Sequence, residues 1–433
     1  MNPKYYLYHS QDKKEHFDIP SGWTVAHFLE GEEGSTRSSV EQMTEEALAS
    51  PSGTPPFSDL VSRAERIAIL VDDATRPTPV EPILARVLAA IGRQGFPREK
   101  ITIVAATGTH EPMTDSVFAA RLGGNVAKEY KVIQHNAWQK DLVPIKIPND
   151  PRTIKVNPVV GSADLRIGIS SILPHAAAGY GGGPKIIVPG VSSFEFVRDH
   201  HMTNSIKPGS VAGRTEGNPF HEEVMKAAKA VGLQFSINCV YDRKGQILRV
   251  IGGSLETAFG EAVQACRETL GHRFEEKVDV TITSAFPHTH GHQFFKGLSA
   301  ATTVTRPNGA VLLIAPISAP ISRDFINSCH EVRRLSGGNP QPYVIEHLEK
   351  GVPFLPDKSI DFNMAMSAPF RVKDVRVIVV SAFIPKDEAE VMGLEHAPTL
   401  EAGIGMLEES YPNARVAIFP SGALIIPLTA WES

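Results

Sequence analysis

A recurring pattern of strand-length apolar runs, each closed by a loop and followed by a helical pattern, constrains this chain more than any other feature. RIAILVDD, residues 66–73, ends in carboxylates and the loop ATRPTP, after which VEPILARVLAAIG has helical spacing. KITIVAATGTH, residues 100–110, repeats the plan, and its loop leads into a helix that Thr114 is placed to cap. Further buried strands are expected at KVIQH near Val132 and ADLRIGIS near Ile167. Such βα units build a mostly parallel sheet with helices on its faces.

At 433 residues the chain exceeds what one hydrophobic core usually covers, so two domains are expected. FSINCVYDRKGQILRVIGG, residues 235–253, reads as a hairpin through DRKG, and SLETAFGEAVQACRETLG then makes a long helix toward the charged segment HRFEEK. The domain boundary is placed there. A second α/β series follows, with strands at residues 278–286, 309–318 and 375–383. The fold class is thus α/β, two α/β domains with mostly parallel sheets. An N-terminal cofactor-binding domain spans residues 1–272 and a C-terminal domain 277–405, and residues 406–433, with the strands of ARVAIFPSGALIIP, return to the first domain. The first 35 or so residues read as a hairpin around QDKK, and residues 35–56 as polar and poor in structure signals.

The formal charge of -5, spread without long like-charge runs, argues against nucleic acid or an anionic membrane as partner and for a small molecule. Cys239, Cys266 and Cys329 form no CxxC pair, so neither a disulfide framework nor a thiolate zinc site is implied, and a reducing cytoplasm fits. The N-terminus is too polar for a signal peptide, and no apolar run approaches the roughly 20 residues of a membrane span.

Ligands of open α/β sheets bind where the strands end at their C-termini. Three loops, residues 72–79, 108–114 and 174–185, occupy that position and could bring Asp73, Arg76, His110, His175 and Lys185 to one crevice. Between His175 and Lys185 the run AAAGYGGGP carries Gly179, Gly181, Gly182 and Gly183, which allow positive φ and close backbone approach to a ligand. His110 and His175 have the side chain for acid/base work near neutral pH, the alternative being loop histidines bonded to backbone. Asp73 and Arg76 could orient a cofactor hydroxyl and a substrate carboxylate, or form a surface ion pair around a turn shaped by Pro77 and Pro79.

His200 and His201 are adjacent on a helix and point in different directions, so one of them rather than both could hold a metal. FPHTHGHQFFKG sets His288, His290 and His292 in an HxHxH pattern without a nearby carboxylate or cysteine. It reads better as a polar substrate-facing loop, with Gln293 and Lys296 one helical turn apart. GYGGGPK lacks the Ser or Thr after lysine of a phosphate-binding loop, and no GxGxxG is present, so neither ATP nor NAD is expected.

Together and in this order, DDATRPTP, ATGTHEPMT, LPHAAAGYGGGPK and a later histidine resemble the nickel-pincer lactate racemase family, and the resemblance covers most of the chain. It implies an isomerase that racemises or epimerises 2-hydroxy acids by reversible hydride transfer from substrate C2, through a 2-keto acid. The implied cofactor is nickel on a pyridinium-3-thioamide-5-thiocarboxylic acid mononucleotide covalently attached to Lys185 and supplied by maturation enzymes. By the same resemblance His201, with His200 competing, is the nickel ligand, and His110 and His175 are the two acid/base histidines. Asp73, Gly181 and Gly182 lie on the cofactor, while Arg76, Gln293 and Lys296 hold the substrate in a cleft between the domains.

Members acting on lactate place a tryptophan of the second domain against the substrate, whereas the tryptophans here are Trp23, Trp138 and Trp431. That departure, with the HTHGH loop, points to a larger or more polar 2-hydroxy acid. The alternatives are a binding or cofactor-handling protein of the same fold and a zinc hydrolase built on the HTHGH loop.

Overall fold

Residues Ile67–Asp72 form β1, in which all six residues are buried, as a central parallel strand covered on both faces requires. Its neighbours are β2 (Ile101–Ala106) and β4 (Leu165–Ile172), with Ile67 in register with both Ile101 and Leu165. With β3 (Lys131–Gln134), β5 (Phe235–Tyr241) and β6 (Ile247–Gly253) they make a six-stranded sheet of order β6-β5-β4-β1-β2-β3. Only β6 is antiparallel, joined to β5 by the expected hairpin.

Because the chain leaves β1 toward β2 on one side and returns to β4 on the other, the switch point of this sheet lies beside β1. Its longer helices are α1 (Val40–Ala49), α2 (Val80–Gly92), α3 (Asp115–Leu122), α4 (Phe194–Asn204), α5 (Pro219–Val231) and α6 (Leu255–Leu270). In α2 the buried residues Val80, Ile83, Leu84, Val87, Leu88 and Ile91 recur at helical spacing, and Thr114 caps α3 through Val117 N as the sequence predicts.

The computed structural model describes residues 5–31, 38–358, 360–370, 372 and 374–430, in two units. The six-stranded sheet just described belongs to the first, which includes residues 38–241 and 247–269. The second includes residues 5–31, 242–246 and 270–430, built on an all-parallel sheet. Its strand order is Glu395–His396, Val375–Val380, Thr305–Ile314, Val278–Ser284, Arg415–Phe419 and Thr24–Phe28.

Two expectations change. The segment from residue 406 does not return to the first domain, and the N-terminal residues do not belong to that domain. Arg415–Phe419 fills an inner slot of the second unit's sheet, between Val278–Ser284 and Thr24–Phe28, where both of its edges are paired. The N-terminal hairpin Tyr5–Tyr8 with Lys14–Phe17 forms as read, but Leu7, Phe17 and Trp23 are buried in that same core. In the stretch called poor in structure, α1 forms, capped by Ser39 through Gln42 N and burying Thr44, Ala47 and Leu48; residues 35–37 of that stretch lie outside the described residues, as does Trp431. Among the described residues no helix is long and apolar enough to cross a membrane.

Candidate active site

Asp73 follows the C-terminal end of β1 and is only 4% exposed. One carboxylate oxygen accepts from Thr75 N at 2.8 Å and Thr75 Oγ1 at 2.5 Å, closing an Asx turn; the other accepts from His110 Nδ1 at 2.6 Å. Burial would raise this carboxyl's pKa, but the His110 bond and charge, with Arg76 and Thr75 behind them, outweigh it and hold Asp73 well below the usual carboxylate range. Since an ionised carboxylate only accepts, the neutral His110 ring carries its hydrogen on Nδ1 and presents a bare Nε2. The surface ion pair between Asp73 and Arg76 is not what forms. Arg76 has no carboxylate within ion-pair distance among the described residues, and its guanidinium donates to Thr75 Oγ1 at 3.2 Å.

His175 is set the opposite way. It stands in a two-residue bridge with Gly179, and its Nδ1 accepts from Ala177 N at 3.2 Å and Ala178 N at 3.1 Å. The neutral ring therefore carries its hydrogen on Nε2. One histidine is presented as an acceptor and the other as a donor.

Lys185 lies on the short 3-10 helix Gly183–Ile186, after Gly182 at φ 71°. A Cβ on Gly182 would come within 2.4 Å of Ser171 O, and one on Gly183 within 2.1 Å of the Phe259 ring, so packing demands both glycines. At Gly181 the nearest atom to a Cβ is Leu173 O at 3.7 Å. There a Cβ would stand at ordinary contact distance, so the protein's own packing does not require the missing side chain. The Lys185 loop is tied to the His110 loop through Gly190, whose N–H donates to Lys185 O at 3.2 Å and whose carbonyl accepts from Gly108 N at 2.9 Å.

Phe220, fully buried in the first turn of α5, gathers the remaining groups. Its ring centroid lies 4.8 Å from Lys185 Nζ and 6.0, 4.2 and 4.9 Å from the rings of His175, His200 and His201. His200 is fully buried, donates from Nε2 to Phe220 O at 3.0 Å, and is pushed down to about 3 by burial, with Lys185, Arg152 and Lys207 adding to it. His201 donates from Nδ1 to Val197 O at 2.9 Å, and burial, with His200 and Lys185, holds it well below the ordinary histidine value. That leaves His201 Nε2 with a bare lone pair in a ring that stays neutral, the state a metal ligand needs. His200 has its Nε2 committed to a carbonyl. Its Nδ1 lies 3.3 Å from His201 Nδ1.

His221, missed in the sequence, is 8% exposed, stacks on Phe259 at 5.4 Å, and is lowered to about 4 by burial and by Lys185. Asn218-Pro219, a capping residue followed by proline at the first helical position, marks the start of α5 in the sequence. Nothing there marks its first turn as the floor of this cluster.

Gln293 and Lys296 stand on the 3-10 helix Gly291–Gly297 of the second unit. The HTHGH histidines do not converge: His288 is buried, His290 contacts Thr289 Oγ1, and His292 stacks on Phe325 at 5.1 Å. Among the described residues no group of three His, Cys, Asp or Glu side chains could hold a metal ion. The zinc-hydrolase alternative therefore loses its site. One free imidazole nitrogen beside a lysine instead suits a metal that arrives with most of its own donors.

Residues 10–213 match the family profile of the lactate racemase N-terminal domain. The lactate racemase of Thermoanaerobacterium thermosaccharolyticum is 28% identical over 307 residues, covering 69% of this chain and 71% of that protein. That of Lactiplantibacillus plantarum is 25% identical over 401 residues, covering 90% and 91%. The fold is shared with the solved lactate racemase apoprotein from T. thermosaccharolyticum, at TM-score 0.86 and 22% identity, covering 98% of this chain and 100% of that one. It is also shared with a protein from Thermotoga maritima, at TM-score 0.64 and 17% identity, covering 90% and 98%. The motifs, the fold and these likenesses agree, and the chain is similar to the lactate racemases over most of its length.

Proposed function

We propose that this protein is a racemase of 2-hydroxy acids, with lactate, the substrate in the names of its relatives, as the first to test. The observation that carries the reading is the opposite presentation of His110 and His175 next to a loop that holds Lys185, within one unit. Inverting a 2-hydroxy acid through a planar 2-keto acid needs the hydroxyl proton taken on one side and an oxygen protonated on the other.

His110 Nε2 takes the hydroxyl proton, and the charge that develops on its ring is compensated by Asp73. His175, once it has taken a proton from solvent at Nδ1 and released the Ala177 and Ala178 N–H groups, donates as the imidazolium from Nε2 to the oxygen after the keto acid has turned and ends neutral, while His110 returns its proton to solvent. For the reverse direction His175 must act as the base, which requires its ring to release Ala177 N–H and Ala178 N–H. Arg76, with no carboxylate partner of its own among the described residues, holds the substrate carboxylate. Lys185 and His201 are the residues that would hold a nickel-pincer nucleotide, through the amine and through Nε2. When bound, that group supplies the hydride acceptor and donor.

The test uses enzyme produced with the maturation proteins and lactate deuterated at C2, in ordinary water. Racemised lactate is expected to keep deuterium at C2, and intact mass with peptide mapping to show an adduct on Lys185 with stoichiometric nickel. Deuterium lost to solvent would replace hydride transfer by proton abstraction at carbon. Loaded enzyme that leaves optical rotation unchanged with lactate and with larger 2-hydroxy acids would overturn the racemase reading. Gln293→Ala and Lys296→Ala, each expected to raise KM, test the substrate role that the family resemblance gives those residues.

A further inference from the structure

Beneath the site runs a buried chain of polar side chains that the chemistry above does not use. Asp72, the residue before Asp73, is clamped from two sides. Arg121 of α3 donates from Nε to Asp72 O at 2.6 Å and pairs through its terminal nitrogen with Asp72 Oδ1, while Thr78 Oγ1 donates to Asp72 Oδ2 at 2.5 Å. Thr78 Oγ1 in turn meets Ser171 Oγ of β4 at 2.5 Å, and Ser171 meets Tyr241 OH of β5 at 2.7 Å. All the hydrogens can run one way, from Tyr241 through Ser171 and Thr78 to the carboxylate, so every member is satisfied.

The placement of this chain is what gives it a task. Asp72 and Thr78 bracket the loop that carries Asp73 and Arg76. Arg121 belongs to the helix that follows the His110 loop. Ser171 sits next to Ser170, whose Oγ accepts from Gly183 N at 2.9 Å at the start of the Lys185 helix. The chain thus joins the loop after β1 to the helix after the β2 loop and meets β4 at the residue next to the one that holds the start of the Lys185 helix. A planar guanidinium that grips a main-chain carbonyl and the side chain of the same residue fixes orientation as well as distance, which an ammonium cannot do.

We propose that Arg121 is a positioning residue for the proton chemistry: acting through Asp72, and with Thr78 and Ser171 as the second clamp, it holds Asp73 in the geometry that keeps His110 in its Nδ1–H form. The link to catalysis rests on the racemase reading; the link to His110 does not.

The experiment compares wild type with Arg121→Lys and Ser171→Ala. Arg121→Lys retains the charge beside Asp72 but loses the fork, and Ser171→Ala cuts the second clamp without leaving a charge unpaired, so either keeps the idea testable if the other fails to fold. The first readout is long-range 15N–1H NMR of histidine-labelled apoprotein, with His110 assigned from His110→Gln. Wild type should show one His110 tautomer, hydrogen on Nδ1, and Arg121→Lys a mixture of both. The second is racemisation by the loaded enzymes, where Arg121→Lys should lower kcat about 10- to 100-fold, as expected when a catalytic pair is misplaced by an ångström or less. Ser171→Ala should move both readouts the same way by less.

If both variants fold and keep the wild-type His110 tautomer and kcat, the chain is packing alone and the proposal fails. Loaded wild type without racemase activity, but with the tautomer shift present in Arg121→Lys, would overturn the reaction assigned above and leave Arg121 as the residue that positions His110.

Discussion

Asp73 does for His110 what no loop sequence announces: it turns an exposed-looking imidazole into one with a defined tautomer and a compensated charge. Asp73→Asn removes the anion while keeping nearly the same shape. The expected result is a fall in kcat of about 10²–10⁴-fold with much less change in KM, measured by initial racemisation rates on loaded enzyme, with circular-dichroism melting as the control for folding. A second consequence concerns acid. His221 is lowered to about 4 and His200 to about 3 in the folded protein, against 6.5 for the unperturbed group. A histidine depressed by folding contributes stability that is fully present above pH 6.5 and is lost as pH falls toward its folded value, because only the unfolded chain takes up the proton there. The apoprotein should therefore lose stability between pH 6.5 and about 4, and His221→Gln should remove roughly 1–2 kcal/mol of that loss by pH 5. Urea denaturation at pH 7.5 and pH 5 checks it, and equal slopes in wild type and variant would count against it. At this scale the residue types were legible in the motifs, since Asp73, Arg76, His110, His175 and Lys185 are singled out by type and loop position and His201, with His200 competing, by the family resemblance. Their pairing was not. An Asp three residues before an Arg reads as a pair around a turn, and only the tertiary fold puts His110 there instead.

Elements deliver those residues, and their own stability rests on ordinary devices. Ser193 caps α4 through Phe196 N, and α4 carries His200 and His201 one to two turns later. Asn218 caps α5 through His221 N and also donates to Ala177 O at 2.9 Å, joining the start of that helix to the His175 loop. Phe220→Ala would open a void in a fully buried position against Lys185 and the ring histidines, and a loss of about 3–5 kcal/mol in urea denaturation is expected. A loss below about 1 kcal/mol would show that the cluster collapses onto the space. Strands β1, β2 and β4 and helices α2 and α3 were legible because buried parallel strands are continuous apolar runs and amphipathic helices carry their period openly. α1 was not legible: among SSVEQMTEEALAS its buried face is only Thr44, Ala47 and Leu48, too polar to stand out beside the charged residues around it.

Over the whole molecule, chain order and domain membership part company. The first unit is nearly continuous in sequence, and only the turn 242–246 of the β5–β6 hairpin is assigned elsewhere. A fragment of residues 38–269 is expected to fold by itself with a cooperative melt and to keep the His110 tautomer. The second unit draws its edge strand Thr24–Phe28 and the buried Leu7, Phe17 and Trp23 from the N-terminus, so residues 270–430 alone should melt broadly or not at all. A sharp melt of that shorter fragment would contradict the role given to the N-terminal strand. By itself the sequence determined the α/β class, most of the strands and helices and the kinds of side chain brought to the loop ends, because periodicity, capping and turn chemistry are local. Tertiary structure alone decided that Arg415–Phe419 and Thr24–Phe28 share a sheet, that Phe220 lies among Lys185, His175, His200 and His201, and that His110 meets Asp73 through Nδ1 while His175 Nδ1 accepts from Ala177 and Ala178. Those outcomes depend on which distant backbone carbonyls, amides and carboxylates come within hydrogen-bond reach, and no local pattern encodes that.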